Sequence, residues 1–393
     1  MPFVAYLDHA ATTPMRPEAR VAMEPLHGAV FGNPSGIHSV ARRAKTALEE
    51  AREEIAVGLG CRPGEVVVTG GGTEADNLAV IGAARVAAAQ GRGRRIVVSA
   101  IEHKAVSAAA RLLEPEGFEV RAVRVGADGI LDLDDLEDAL AGPVAVVSVM
   151  LVNNEIGTIQ PLAEVAERVR ARAPGAVLHT DAVQAVPWLD VATAAADADL
   201  ISISAHKFGG PKGVGALVVR DGIEVEPRLV GGGQERGLRS GTVDVAGAAG
   251  LAAALTATIA GRSADVVRVG RMRDRLATGL AAVPGLVPTG DRGRAVAGNH
   301  HVRVAGVAAE TLLVALDRDG VCAAAGSSCA SGALEPSPVL EAMGMPREVA
   351  REAVRFSLGY GSNDADVDRA LEVVPRAIER LRGAAAPVAA AAG

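Results

Sequence analysis

Lysine is scarce in this chain. The 393 residues include forty basic side chains, yet only Lys45, Lys104, Lys207 and Lys212 carry a primary amine. Any chemistry that needs such an amine must choose among these four. Cysteine is thinner still, with three residues. That excludes a disulfide framework, and Cys322 and Cys329 are not spaced as a zinc finger. Reduced thiols imply an intracellular, cytoplasmic setting. The start, Met-Pro-Phe-Val-Ala-Tyr-Leu-Asp, has neither the basic nor the apolar region of a signal peptide. Long apolar runs are also missing. The uncharged run Val245 to Ala260 falls short of the ~20 residues that span a bilayer and reads as a buried helix. A formal net charge of -7 argues against a broad nucleic-acid surface.

What is present is an ample apolar fraction, 49%, with 22% charged residues. The length predicts two or three domains with a large core. From about residue 65, short β-branched runs alternate with amphipathic segments. The runs are 65–69, 95–99, 118–125, 144–152, 176–180, 199–204 and 214–219. Strand–helix alternation predicts an α/β fold, a mainly parallel seven-stranded sheet with helices on both faces. The last link, 205–213, is too short for a crossover helix, so the final strand is expected to run antiparallel. The segment 40–59 is helical by period, with Lys45 on its solvated side. The pattern changes near residue 255. We expect a large domain over 15–255, a smaller α+β domain from 1–14 and 256–383, and a disordered Ala-rich tail over 384–393. The basic stretch 268–275 reads as a solvated helix face.

Five segments carry candidate chemistry. Thr69-Gly-Gly-Gly-Thr-Glu-Ala-Asp-Asn77 follows a strand and opens a helix. Its glycines permit close backbone approach, and a helix N-terminus favours a phosphate. The plainer reading is a capped strand–helix turn, with Thr73 and Asp76 as a capping box. His179-Thr-Asp181-Ala-Val-Gln184 ends a strand, where Asp181 faces the ligand crevice or simply caps a helix. Ser202-Ile-Ser-Ala-His-Lys207 continues through Phe-Gly-Gly-Pro to Lys212. A lysine desolvated there becomes a nucleophilic amine. Spacing leaves Lys207 and Lys212 open, with Lys207 favoured because it abuts the strand. Together the three segments supply a phosphate site, a carboxylate for a ring nitrogen and an amine for a Schiff base, which are the needs of pyridoxal phosphate.

The fourth segment, Gly326-Ser-Ser-Cys329-Ala-Ser-Gly332, flanks a thiol with loop residues. Cys61 and Cys322 fit small buried hydrophobes better. The fifth, Arg355-Phe-Ser-Leu-Gly359, offers a guanidinium for a substrate carboxylate, or else a surface ion pair. His300 and His301 point to opposite faces of an extended segment, so no metal is expected.

At this point the sequence resembles the cysteine desulfurases of the NifS/IscS type, within the class V aminotransferase superfamily. The matching segments include Leu7-Asp-His-Ala-Ala-Thr-Thr-Pro14, Gly32-Asn-Pro-Ser35, Gly71 to Leu78, Glu102 to Val106, Val152-Asn-Asn-Glu-Ile-Gly157, Ser204 to Gly213, Gly231 to Thr242, the Cys329 loop and Arg355 to Gly359. They fall in family order over roughly residues 6 to 380. The resemblance implies a fold-type-I pyridoxal phosphate enzyme that acts as a homodimer on L-cysteine, giving L-alanine and a persulfide on Cys329. Lys207 looks like the Schiff-base lysine, Asp181 the partner of the pyridine nitrogen and His103 the residue against the ring. Asn154 and Gln184 would reach the ring's oxygen side, with Asn154 also near substrate. Gly72, Thr73, Ser204 and His206 would hold the phosphate, with Thr242 supplied by the partner subunit. Arg355 would bind the cysteine carboxylate.

The loop reads Ser-Ser-Cys-Ala-Ser where many relatives have Gly-Ser-Ala-Cys-Thr, and it resembles the long-loop group. The Ala-rich end does not resemble the tail with which some relatives dock an iron–sulfur scaffold. The sulfur-acceptor protein, an iron–sulfur scaffold or a tRNA thiolation protein, stays open. Alternatives are a selenocysteine lyase or another aminotransferase-like enzyme on this scaffold, and a cofactor-free sulfur-relay scaffold. No direct nucleic-acid or membrane partner is expected.

Overall fold

A computed structural model of the chain describes residues 3–326 and 336–385. Its seven-stranded sheet has the spatial order Val66–Thr69, Gly215–Val219, Leu200–Ser204, Val177–Asp181, Val144–Ser148, Arg95–Ser99, Glu119–Val123. The strand Gly215–Val219 runs antiparallel to both of its neighbours, and the other pairings are parallel. The short link after Ser204 thus has the predicted consequence. The expected strand 144–152 stops at Ser148. Beyond it the chain follows the sheet's end, with the Leu151 amide donating to the Asp181 carbonyl at 2.9 Å.

Alternation along each strand builds two apolar layers. Val66, Val68 and Val97 belong to a core with the helices Ser39–Leu59, Leu162–Arg172 and Val245–Leu280. Val67, Ile96 and Val98 belong to a second core with the helices Gly72–Ala89 and Lys104–Arg111. Successive side chains on a strand face opposite ways, so both faces of this sheet are covered. The helix Ser39–Leu59 buries Ala44, Leu48, Ala51, Ile55 and Leu59, and Gly60 ends it at φ 62°, a left-handed backbone that suits glycine.

A third core surrounds a three-stranded antiparallel sheet in which Asn299–Val304 lies between Leu286–Pro288 and Ala353–Ser357. Ala5–Tyr6 pairs with Val321–Cys322. The helix Val245–Leu280 runs through residue 255 without a break, and its first half is buried through Leu251, Ala254 and Leu255. By length and composition it could cross a membrane, but those residues pack in the sheet's core.

The basic stretch is not simply solvated. Arg273 is buried and donates toward the Asn299 carbonyl at 3.3 Å, while Arg268 donates to the Tyr360 and Ser362 carbonyls at 2.6 Å each. This part of the helix is wedged against loops whose carbonyls need donors. Cys61 and Cys322 are only partly buried.

His300 and His301 lie on the central strand of the small sheet, both buried, with His301 opposite Arg355. Neither His301 ring nitrogen has a hydrogen-bond partner, and burial pushes the ring down to about 3. The unfolded ring titrates near 6.5, so the unfolded state alone binds a proton between those values, and stability falls as pH falls through that window. The advantage of wild type over His301→Gln in denaturant unfolding is expected to shrink by roughly 2 kcal/mol between pH 7 and pH 5. A pH-independent difference would refute this assignment.

Candidate functional site

The carboxyl ends of the parallel strands converge on a cavity of about 300 Å³. This is where an open α/β sheet binds its ligands. Ten of the residues named from the sequence line it: Gly72, Thr73, His103, Asn154, Asp181, Gln184, Ser204, His206, Lys207 and Arg355. Thr242 is exposed and does not line it. Cys329 lies outside the described residues, but Gly326 and Pro338, on either side of its segment, both border the cavity.

One end of the cavity is built for an anion. Gly71 stands at φ 138° ahead of the helix Gly72–Ala89, a conformation that disfavours any other residue. A Cβ on Gly72 would strike Val183 Cγ2 at 2.8 Å and Ser204 Cβ at 3.3 Å. The helix therefore begins hard against the strand end that carries Ser204, and its first amides lack partners within the helix. The expected Thr73–Asp76 capping box is absent: no side chain caps this helix, and Asp76 is turned inward and buried. Glu74 instead takes the Gly70 amide at 2.8 Å.

The floor is acidic. Asp181 is fully buried, and its Oδ1 accepts from the Val183 amide at 2.9 Å. Burial pushes its carboxyl up, against the pull of His103, that amide and Lys207. Asp76 and Glu102 also line the cavity, and burial followed by repulsion from Asp181 pushes both well up. Asp76 Oδ1 and Glu102 Oε2 are buried without a hydrogen-bond partner. His103 Nδ1 accepts from the Ala105 amide at 3.1 Å, so in the neutral ring Nε2 carries the proton. Burial holds this ring below its usual range. Side-chain atoms of Asp76, His103 and Asp181 lie within 4.8 Å of one another.

Lys207 sits in the short turn Ala205–Lys207 after the strand, and its Nζ donates to the carbonyls of Ala10 at 2.7 Å and Ala11 at 2.9 Å. Lys212 and Lys45 are exposed, and neither lines the cavity. His206 meets Thr12 Oγ1 at 3.1 Å, and burial pushes it down to about 4. Gln184 donates to the Ala10 carbonyl at 2.8 Å. Arg355 is no surface residue: it is 2% exposed, donating to Asp8 Oδ1 at 2.8 Å and to the Asn154 carbonyl at 2.6 Å. Asp8, Ala10 and Ala11 were not assigned roles from the sequence, nor was Glu102. Asp8, Ala10 and Ala11 belong to the matched segment Leu7 to Pro14, and Glu102 directly precedes His103, which were the only signals.

The model of the class-V aminotransferases matches residues 5–370. The chain belongs to the class-V aminotransferase family. Among the similar proteins, the IscS-like cysteine desulfurase of Mycobacterium tuberculosis is 46% identical over 99% of this chain and 100% of its own. Cysteine desulfurase IscS of Dictyoglomus turgidum is 41% identical over 96% of this chain and 95% of its own. A solved structure titled NifS-like protein superposes with a TM-score of 0.89 at 32% identity, over 97% of this chain and 100% of that one.

Members of this family use pyridoxal phosphate, and the cavity fits it. The buried carboxyl of Asp181 suits a ring nitrogen that carries a proton, and the glycine-lined helix start suits a phosphate. Gly72, Thr73, Ser204 and His206 would hold the phosphate, Asp181 the ring nitrogen and Lys207 the aldehyde carbon. A lost hydrogen bond to a charged group costs about 1.5–3 kcal/mol. Ser204→Ala is therefore expected to weaken retention of pyridoxal phosphate by roughly ten-fold or more, read as loss of visible absorbance on dialysis. Unchanged retention would remove Ser204 from the phosphate site.

Proposed function

We propose that the chain is a cysteine desulfurase that takes sulfur from L-cysteine, leaves L-alanine and carries the sulfur as a persulfide on Cys329. The single observation behind this reading is one cavity that gathers the amine of Lys207, the buried carboxyl of Asp181, an open helix N-terminus and the guanidinium of Arg355. Relatives named as cysteine desulfurases over nearly the whole length supply the substrate.

Pyridoxal phosphate, when bound, supplies an electron sink that acidifies the Cα proton of an amino acid and loosens the bond beyond it. The protein does the rest. Arg355, fixed by Asp8 and by the Asn154 carbonyl, has N–H groups left to take the cysteine carboxylate in a fixed orientation. Lys207 is the base that moves the Cα proton, and His103 holds a proton at Nε2 beside it. The Cys329 thiolate attacks the substrate sulfur. A sulfur–sulfur bond forms, the carbon–sulfur bond breaks, and its electron pair stays on Cβ, which takes a proton to become the methyl of alanine. The persulfide then passes to an acceptor protein, in iron–sulfur assembly or tRNA thiolation.

We place the enzyme in the cytoplasm as a homodimer. Thr242 is exposed outside its own cavity, as a residue offered to a partner's phosphate would be. Exposed Phe31, Ile37 and Val230 supply apolar surface for such an association.

Cys329→Ala is expected to keep the cofactor's colour and bind cysteine but release no sulfide with a reductant. Full activity would remove the persulfide from the account. Lys207→Ala is expected to lose the yellow band that borohydride abolishes, while Lys212→Ala keeps it. The reverse would move the anchor to Lys212.

A further inference from the structure

Asp76, near the start of the helix Gly72–Ala89, lines the cavity at 1% exposure, yet no step above uses it. Beneath it three neighbouring strands present a row of buried polar side chains. Ser148 is paired in register with His179, and Ser202 with Asp181. His179 and Asp181 are two residues apart on one strand and share a face. His179 Nδ1 meets Ser148 Oγ at 2.8 Å, and Nε2 meets Ser202 Oγ at 2.9 Å. The Ser202 hydroxyl also hydrogen-bonds with Asp76. Asp76 Oδ1 stands 3.6 Å from His179 Nε2, too far to bond, and has no hydrogen-bond partner among the described residues.

This row admits two hydrogen-bond patterns. Burial pushes His179 down to about 3, so its ring is neutral: one nitrogen donates and the other accepts. If Nε2 carries the proton, it donates to Ser202, whose hydroxyl donates to an ionised Asp76. If Nδ1 carries it, Ser202 donates to Nε2 and accepts from a protonated Asp76. The surroundings decide between them. Carboxyl oxygens of Asp76 and Asp181 lie within 4.8 Å of each other in a buried site, where one charge opposes the other. Glu102 faces the same cavity and adds a third acid. The groups that favour a charge gather at Asp181: His103 and Lys207 both draw it toward the anion, and the Val183 amide donates to it. At Asp76 the group that favours the anion is the Ser202 hydroxyl.

We infer that Asp76 is a positioning residue for Asp181, kept as a neutral acid that donates to Ser202 and, through it, is braced by His179, so that the charge beneath the ring is concentrated on Asp181. The inference rests on the reading of Asp181 as the partner of the ring nitrogen, and Asp76 acts through Asp181. A neutral acid fills the space beside that carboxylate without adding a second charge. One carboxylate then matches the one proton that a ring nitrogen carries. Asparagine is a faithful substitute, because its amide donates to Ser202 as the acid would.

The test uses the full-length holoenzyme loaded with pyridoxal phosphate, at about pH 7. Infrared difference spectra between wild type and Asp76→Asn are expected to show a carboxylic-acid carbonyl band, shifted in heavy water, that the variant loses. Nitrogen-15 NMR of labelled histidine is expected to find the His179 proton on Nδ1 in wild type and in Asp76→Asn alike. The labelled ring nitrogen in Asp76→Asn is expected to stay protonated across roughly pH 6 to 9. A difference spectrum that shows a carboxylate instead, a His179 proton on Nε2, or a ring nitrogen that Asp76→Asn deprotonates within that range would overturn the inference. The His179 measurement needs no variant, so it decides even if Asp76→Asn folds poorly. A wild-type ring nitrogen that titrates as freely as in Asp181→Asn would instead overturn the reading of Asp181 itself.

Discussion

Asp181 is the constraint around which the site is arranged. It is a buried carboxyl at the end of a central strand, with two further buried carboxyls, Asp76 and Glu102, close enough to repel it. Burying three carboxyls so close together carries a desolvation cost that their neighbours must offset. The Val183 amide, His103 and Lys207 partly offset the cost. A ligand with a protonated ring nitrogen would offset more of it. The same contact would keep that nitrogen cationic, so Asp181 would also favour the ring as an electron acceptor.

A short N-terminal stretch sets the geometry above this floor. Asp8 fixes Arg355, the carbonyls of Ala10 and Ala11 receive Lys207 Nζ, Thr12 meets His206, and Gln184 donates to Ala10. The backbone of His9 is bonded to Ser357 in the small sheet, while Thr13 is bonded to His206 beside the large one. Lys207, His206 and Arg355 are thereby placed by one stretch of chain that bridges from the small sheet, through Asp8 and Ser357, to the end of the large one. Shifting it would disturb cofactor and substrate contacts together, which is how a composite site keeps its parts in register.

Much of this was legible because it obeys local rules. Strand period, the glycine-rich turn before a helix, and a link too short for a crossover each act over a few residues, and all three appear as expected. What escaped was decided by distant partners. Asp76 looks like a helix cap, but the backbone at Gly71 opens the helix to the cavity and Asp76 turns inward. Arg273 looks like a solvated cation, but carbonyls at Val296 and Asn299 lie over it. Arg355 alone reads as a surface pair until the small sheet buries it opposite His301. Glu102 opens a matched segment but received no role, since its place is set by the distant Met150 amide and the cavity. The thiol was picked out by its Gly/Ser flanks and lies outside the described residues.

The most direct test of the central claim is the protonation of the ring nitrogen in the holoenzyme, read by nitrogen-15 NMR with pyridoxal phosphate labelled at that atom. The account predicts a nitrogen that stays protonated across roughly pH 6 to 9 in wild type and loses its proton within that range in Asp181→Asn. A wild-type nitrogen that titrates as freely as in the variant would contradict it.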